Sequence, residues 1–149
     1  PYHTCLRRLI AHTHTRFGLA VLIDCHSMPG NIRLPSSDLR PDFIIGDRYG
    51  TSASAELSRA ALQFLDGMGF TAVRNKPYAG GFITEHYGRP ARGLHALQIE
   101  INRALYVDEV TLEKRAEFPL VAAALSTFMR QMADFVSDFA GPMGALAAE

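Results

Sequence analysis

The feature that most constrains the fold of this chain is an apolar run that ends abruptly in polar residues. Residues 20–23 read Ala-Val-Leu-Ile, and Asp24, Cys25, His26 and Ser27 follow before a Pro-Gly turn. This pattern is typical of a buried parallel strand whose carboxyl end opens into a loop. Because open α/β sheets place their chemistry at that end of the strands, the run predicts both a fold class and the position of a site.

The rest of the chain alternates helical and strand patterns, which predicts one α/β domain with a mostly parallel or mixed sheet flanked by helices. Gly18 is placed to end the first helix, and Ser52 or Ser54 can cap the second. The predicted helices cover about 2–16, 55–67 and 119–141, and the predicted strands cover 19–24, 42–47, 71–74 and 94–101. Residues 28–41 and 75–82 are predicted loops, the second because it contains Pro77 and a glycine pair.

The first and last helices are each predicted to bury one apolar face. In the first helix the apolar residues near one side are Leu6, Leu9, Ile10 and Phe17. In the last helix the stripe at helical spacing is Val121, Leu125, Phe128, Met132, Phe135 and Phe139. Gly141 is predicted to end that helix, and its stripe is most simply part of the core.

Composition indicates a globular protein without an obvious macromolecular partner. Of 149 residues, 48% are apolar, and 15 basic residues balance 15 acidic ones, so the net charge calls for neither nucleic acid nor a membrane surface. No apolar run approaches the roughly 20 residues of a membrane span. Cys5 and Cys25 lack Cys-x-x-Cys spacing, and we expect two buried free thiols in a reducing compartment, with the cytoplasm as the default location.

His26 is the first candidate for chemistry. A neutral imidazole at a strand end can bind a metal or act as a general base, and Asp24, two residues earlier, lies on the same side of an extended strand and could orient the ring. A histidine that is hydrogen-bonded only for packing satisfies the same pattern. Position alone leaves both interpretations open.

Glu100 is the second candidate. Its strand alternates, with Leu97, Ile99 and Ile101 on one face and Gln98, Glu100 and Asn102 on the other. A carboxylate beside a metal-bound water can take up its proton and later pass that proton to a leaving amine. The alternative is an ion pair between Glu100 and Arg103 or another arginine.

Several motifs, in consistent order from residue 1 to about residue 109, together resemble the N-formylglutamate amidohydrolase family. They are Pro1-Tyr2-His3, residues 24–29 (Asp-Cys-His-Ser-Met-Pro), Pro41-Asp42 with Gly46-Asp47, residues 75–81 (Asn-Lys-Pro-Tyr-Ala-Gly-Gly), residues 95–103 (His-Ala-Leu-Gln-Ile-Glu-Ile-Asn-Arg), Tyr106 and Glu109.

This resemblance implies a zinc-dependent hydrolase with an α/β fold related to the zinc carboxypeptidases and the phosphorylase/hydrolase-like proteins. The implied reaction cleaves the formamide of an N-formyl amino acid, such as N-formyl-L-glutamate, to formate and the free amino acid, in amino-acid degradation such as histidine catabolism. His26-Ser27 matches the third metal ligand of the carboxypeptidases, and Glu100 matches their general base. Zinc is the implied cofactor and a small molecule the implied partner.

The loop 75–82 is a candidate wall for the substrate. Its glycines, Gly80 and Gly81, let backbone donors approach closely, and Asn75 or Tyr78 can add a side-chain contact. For a carboxylate on the substrate, Arg103 or Arg92 is the candidate partner.

Carboxypeptidase-like sites also need a His-x-x-Glu-type pair, and none of the six histidines is followed at that spacing by an acidic residue. The Asp-x-Asn-Arg-like segment of the family is likewise not found. We therefore expect residues 1–149 to be the C-terminal part of a single amidohydrolase domain, whose other ligands precede Pro1. A related zinc amidase or carboxypeptidase-like enzyme acting on another N-acyl amino acid or peptide, and a non-catalytic fragment of this fold, remain alternatives.

Overall fold

A four-stranded sheet flanked by helices forms the centre of the molecule in the computed structural model, which describes residues 1–34 and 38–144 and the side chains among these as far as residue 138. The helices are α1 (Tyr2–Phe17), α2 (Ala55–Gly67), α3 (Phe82–Tyr87) and α4 (Phe118–Gly144). The strands are β1 (Ala20–Met28), β2 (Phe43–Gly46), β3 (Ala72–Arg74) and β4 (Leu94–Asn102).

The sheet is mixed, with the strand order β1-β4-β2-β3. β1 pairs in parallel with β4, β2 runs antiparallel to β4, and β3 pairs in parallel with β2. The predicted α/β class with a mostly parallel or mixed sheet flanked by helices is confirmed.

β1 is longer and more exposed than predicted. Its extension to Met28 places Cys25, His26 and Ser27 within the strand, and all three are exposed. The prediction of a buried strand is wrong because, among the described residues, β1 pairs only with β4 and lies at the edge of the sheet. The prediction of two buried thiols is also wrong, because Cys5 and Cys25 are both free and exposed.

The core lies between one face of the sheet and the helices α2 and α4. Its buried members are Phe43, Ile45, Ala53, Leu57, Ala61, Leu65, Leu97, Ile99, Phe128 and Met132. Ser54 caps α2 by accepting a hydrogen bond from the backbone N–H of Leu57, at 3.4 Å. None of the described helices has both the length and the apolar character that a transmembrane helix requires.

α4 follows its predicted stripe but not its predicted end. Val121, Phe128 and Met132 are buried, whereas the side chain of Phe139 lies outside the described part of the structure. The helix continues past Gly141 to Gly144. A glycine inside a helix costs only about 1 kcal/mol relative to alanine, which is too little to end a helix by itself.

α1 forms where it was predicted and ends at Gly18, whose left-handed conformation (φ 76°) provides the cap. Its predicted inward face is only partly correct, because Leu6 and Ile10 are half-buried but Leu9 and Phe17 are exposed. The helix contacts the edge strand β1, and this contact leaves Leu9 and Phe17 exposed.

α3 was not predicted from the sequence. It has only six residues and begins directly after the glycine pair, at Phe82. At its end the Tyr87 hydroxyl lies 2.7 Å from Nδ1 of His3, which joins α3 to α1.

The fully buried Asp47, directly after β2, connects several elements. One carboxylate oxygen accepts hydrogen bonds from the Gly50 backbone and the Asn75 amide, and the other accepts from Ser58 and Arg74. Burial alone would raise the pKa of Asp47, but these hydrogen bonds outweigh it and hold the pKa below its ordinary value of 3.8. The carboxylate therefore stays ionised and holds β2, α2, β3 and the following loop together.

We expect Asp47→Ala to lower the free energy of unfolding by roughly 3 kcal/mol, the lower end for a broken buried pair, because Arg74 stays partly exposed. The stabilisation from Asp47 is present above pH 3.8 and is lost as the pH falls through the lower pKa of the folded state. Asp47→Asn should remove this acid-dependent component. Urea unfolding at neutral and acidic pH measures both effects.

Asp38→Asn is the matched control, since the Asp38 side chain is 96% exposed in its pair with Arg33. We expect this control to change the free energy of unfolding by at most about 1 kcal/mol. Equal effects of the substitutions at positions 38 and 47 would contradict a central role for Asp47.

Candidate active site

The register between β1 and β4 creates the candidate site. His26 lies directly opposite Glu100, and Asp24 lies directly opposite Gln98. Because alternate residues of a strand share a face, all four belong to the face of the sheet opposite the apolar core. The structure thus brings together the two strands that were expected to supply the metal ligand and the base.

His26 is oriented by Asp24. Its Nε2 lies 3.0 Å from Oδ2 of Asp24, so the carboxylate accepts the hydrogen of Nε2 and leaves the lone pair on Nδ1. Nδ1 faces Glu100, with 3.8 Å between it and Oε1. Since 47% of the His26 side chain is exposed, a role in packing the interior is disfavoured.

Glu100 is nearly buried, with 6% of its surface exposed. Burial raises the pKa of its carboxyl above the ordinary value, and Asp24 adds to the rise, while His26 and the hydrogen bond from Gln98 oppose it. The alternative of an ion pair with Arg103 is not what the structure shows, because Arg103 pairs with Glu109.

Gln98 is the functional candidate that the sequence analysis did not single out. Its Nε2 donates a hydrogen bond of 2.6 Å to Oε1 of Glu100. The alternation of β4 already placed the two residues on one face, but it does not tell which polar side chains of that face are buried and in contact.

The glycine loop, residues 79–81, lies against this face. A Cβ on Gly46 would stand 2.6 Å from the backbone N of Gly80 and 2.7 Å from the carbonyl carbon of Ala79. A Cβ on Gly81 would stand 3.3 Å from Oε1 of Gln98. The loop therefore approaches the sheet so closely that glycine is required at position 46, and Gly81 lies beside Gln98 of the site.

Asn75 lies at the start of the loop 75–82, and its side chain forms hydrogen bonds with Asp47. Its Nδ2 donates to the Asp47 carboxylate at 2.7 Å, and its Oδ1 accepts from the Asp47 backbone N–H at 3.0 Å. Asn75 is buried and has a φ of 63°, so it shapes the start of the loop. Tyr78 is half-buried farther along. A direct contact of either residue with substrate stays a prediction.

Arg103 lies just beyond β4. Its Nε donates to Oε1 of Glu109 at 2.8 Å, while Oε2 of Glu109 accepts from the backbone N–H of Gly30. Arg103 and this N–H hold the pKa of Glu109 below its ordinary value. The pair joins the segment after β1 to the segment after β4, and binding of a substrate carboxylate by Arg103 or Arg92 stays a prediction.

Among the described residues, Nδ1 of His26 is the candidate metal donor, because its lone pair is left by the bond from Nε2 to Asp24. Within residues 1–34 and 38–144, no group of three or more histidine, cysteine, aspartate or glutamate side chains is placed to hold a metal ion. Catalytic zinc sites generally use three protein ligands. His26 fits such a site as one ligand, and the described residues alone do not complete it.

Comparison with known proteins places the chain in a family. The family model for N-formylglutamate amidohydrolase matches residues 1–107. The chain belongs to the N-formylglutamate amidohydrolase family. The resemblance inferred from its motifs is confirmed, and both His26 and Glu100 lie inside the matched region.

Similar proteins agree with this assignment. The chain is 36% identical over 110 residues to the N-formylglutamate deformylase of Pseudomonas putida and 34% identical over 110 residues to that of Pseudomonas aeruginosa. Each match covers 73% of this chain and 41% of the relative. The crystal structure of N-formylglutamate amidohydrolase from Ralstonia eutropha JMP134 superposes with a TM-score of 0.74 at 34% identity, covering 94% of this chain and 49% of that one. The chain thus spans less than half the length of these family members.

We expect Gly46→Ala to lower the free energy of unfolding by about 1–3 kcal/mol, because the new methyl group meets the backbone of the glycine loop. Gly67→Ala is the matched control, since a Cβ there has no atom within 4 Å and lies in the last turn of α2. This control should leave the free energy of unfolding unchanged or raise it by up to about 1 kcal/mol. Urea unfolding of both variants tests the close approach, which equal stabilities would exclude.

Proposed function

We propose that this chain forms part of an enzyme that hydrolyses the formamide of an N-formyl amino acid, with N-formyl-L-glutamate as the first candidate. The products would be formate and the free amino acid. The observation that carries the proposal is the buried Glu100 carboxylate facing His26, in a chain of the N-formylglutamate amidohydrolase family. A cytoplasmic location and a role in histidine catabolism belong to the same proposal.

Zinc is the proposed cofactor, with Nδ1 of His26 as one ligand. The bond from Nε2 to Asp24 supports this role, because a carboxylate that accepts from the imidazole fixes the ring and raises the basicity of the other nitrogen. When bound, zinc would supply a Lewis acid that polarises the formyl oxygen and lowers the pKa of water. The remaining ligands are proposed to come from a segment equivalent to the part of the relatives that this chain does not span.

Glu100 is the proposed general base. Its carboxylate lies on the same face as Nδ1 of His26, so a water held near that nitrogen is within reach of the carboxylate. Glu100 takes the proton of the attacking water and then donates it to the departing nitrogen, which leaves as the amine. The proton returns to the products, and no covalent bond between enzyme and substrate is required.

The glycine loop is the proposed wall of the substrate pocket. Gly81 lies beside Gln98, and Gly80 and Gly81 are proposed to present backbone groups to a ligand on this face. Tyr78 and Asn75 are proposed to add contacts from the same segment, and Arg103 to receive a carboxylate of the substrate. Arg103 would exchange its bond to Glu109 for one to the substrate.

We expect Glu100→Gln in the full-length protein to reduce the turnover of N-formyl-L-glutamate by at least about 100-fold, because an amide cannot accept the proton from water. The zinc content per chain should stay unchanged. Glu113→Gln, at an exposed position far along the chain, should retain turnover. Measurement of formate release and metal content tests the assignment, and undiminished turnover in Glu100→Gln would exclude it. Replacing the formyl group by acetyl in the assay distinguishes a deformylase from a broader amidase.

Removal of His26 should weaken zinc binding. We expect His26→Ala to abolish stoichiometric zinc and Asp24→Asn to weaken zinc affinity by about 10- to 100-fold, since Asp24 acts only through the ring. His12→Ala, on the exposed side of α1, is the control and should bind zinc like the wild type. Competition with a chromophoric chelator measures these affinities. Unchanged affinity in His26→Ala would remove His26 from the coordination sphere.

A further inference from the structure

A buried glutamine lies beside the proposed base and has no role in the reaction as described so far. Gln98 and Glu100 are both on β4, on the same face, and are 4% and 6% exposed. We propose that Gln98 is a positioning residue that holds the Glu100 carboxylate in one orientation toward His26. This inference rests on the proposed function, because it assigns Gln98 an effect only through Glu100.

The hydrogen bond between the two side chains defines that orientation. Nε2 of Gln98 donates to Oε1 of Glu100 at 2.6 Å, and the same oxygen lies 3.8 Å from Nδ1 of His26. A bond from an amide to a carboxylate is charge-assisted and short. It fixes the plane of the carboxylate in a region where surrounding water is largely excluded, so the carboxylate does not have to be reoriented when a proton is transferred.

The other end of the amide shows which interaction determines its orientation. Oε1 of Gln98 is buried and has no hydrogen-bond partner among the described residues. Reversing the amide would turn this oxygen toward the Glu100 carboxylate, where two acceptors would repel each other. The amide therefore leaves its own oxygen unpaired in order to donate to Glu100, and an unpaired buried acceptor of this kind is uncommon in folded proteins.

The glycine loop keeps Gln98 in this position. Oε1 of Gln98 lies against Gly81, where even a methyl group would approach to 3.3 Å. Gly46, which pairs with Gln98 in the sheet, lies beneath the backbone of Ala79 and Gly80. The side chain is thus enclosed between the sheet and the loop, and its donor stays directed at Glu100.

The test is Gln98→Met in the full-length protein, a substitution that preserves length and removes the N–H donor. We expect kcat for N-formyl-L-glutamate to fall about 10- to 100-fold, as for a misplaced catalytic group, with KM changed less than about threefold. The thermal midpoint should change little, since the loss of the hydrogen bond to Glu100 is offset by the removal of the unpaired oxygen. Gln131→Met is the matched control, because Gln131 on α4 also has a buried oxygen without a described partner and should retain both constants.

A double variant separates positioning from packing. In the Glu100→Gln background, Gln98→Met should lower the residual kcat by less than about twofold, because the group on which Gln98 acts is already gone. The proposal would be overturned if Gln98→Met lowered kcat as much in the Glu100→Gln background as in the wild type. It would also be overturned if Gln98→Met alone kept the wild-type kcat. If Gln98→Met does not fold, Gln98→Leu, which also lacks the amide donor and adds no second carboxylate beside Glu100, carries the same expectation. Full turnover in Glu100→Gln alone would instead refute the proposed base, so the two failures are distinguishable.

Discussion

The parallel pairing of β1 with β4 is the interaction on which the candidate site depends. Its register places His26 opposite Glu100. On the other face of β1, Val21 and Ile23 pack against the core, so a shift by one residue would bury the polar residues and expose the apolar ones. The apolar residues that drive folding therefore also determine that His26 and Glu100 face each other.

Two sets of buried polar contacts hold the glycine loop over this face. The Asp47 carboxylate accepts a hydrogen bond from Asn75, at the start of the loop 75–82. The backbone N–H of Arg48 donates to the carbonyl of Ala79 at 2.7 Å. Farther along, Gly80 lies against Gly46. The loop is positioned by residues of β2 and of the turn directly after it, so its conformation depends on groups outside its own sequence.

The sequence predicted most of the helices and strands, but not which strands pair or which polar side chains contact each other. Periodicity located β2, α2 and β4, and Gly18 marked the end of α1, because these signals are local. Periodicity also showed that Glu100 shares a face with Gln98. The local pattern could not show that β1 lies at the edge of the sheet, that Asn75 is bonded to Asp47, or that a helix as short as α3 follows the loop. Those outcomes depend on which strands pair and on which polar groups are buried together.

In the described part of the chain, the position of β1 leaves one edge of the sheet open beside the candidate site. Across the described residues its second edge has no partner, and His26 lies on that strand. A strand pairing there would run about 4.8 Å from β1 and would present alternate side chains on the face of His26. If such a strand carried a ligand of the proposed zinc, metal binding and strand pairing would each strengthen the other by the same factor.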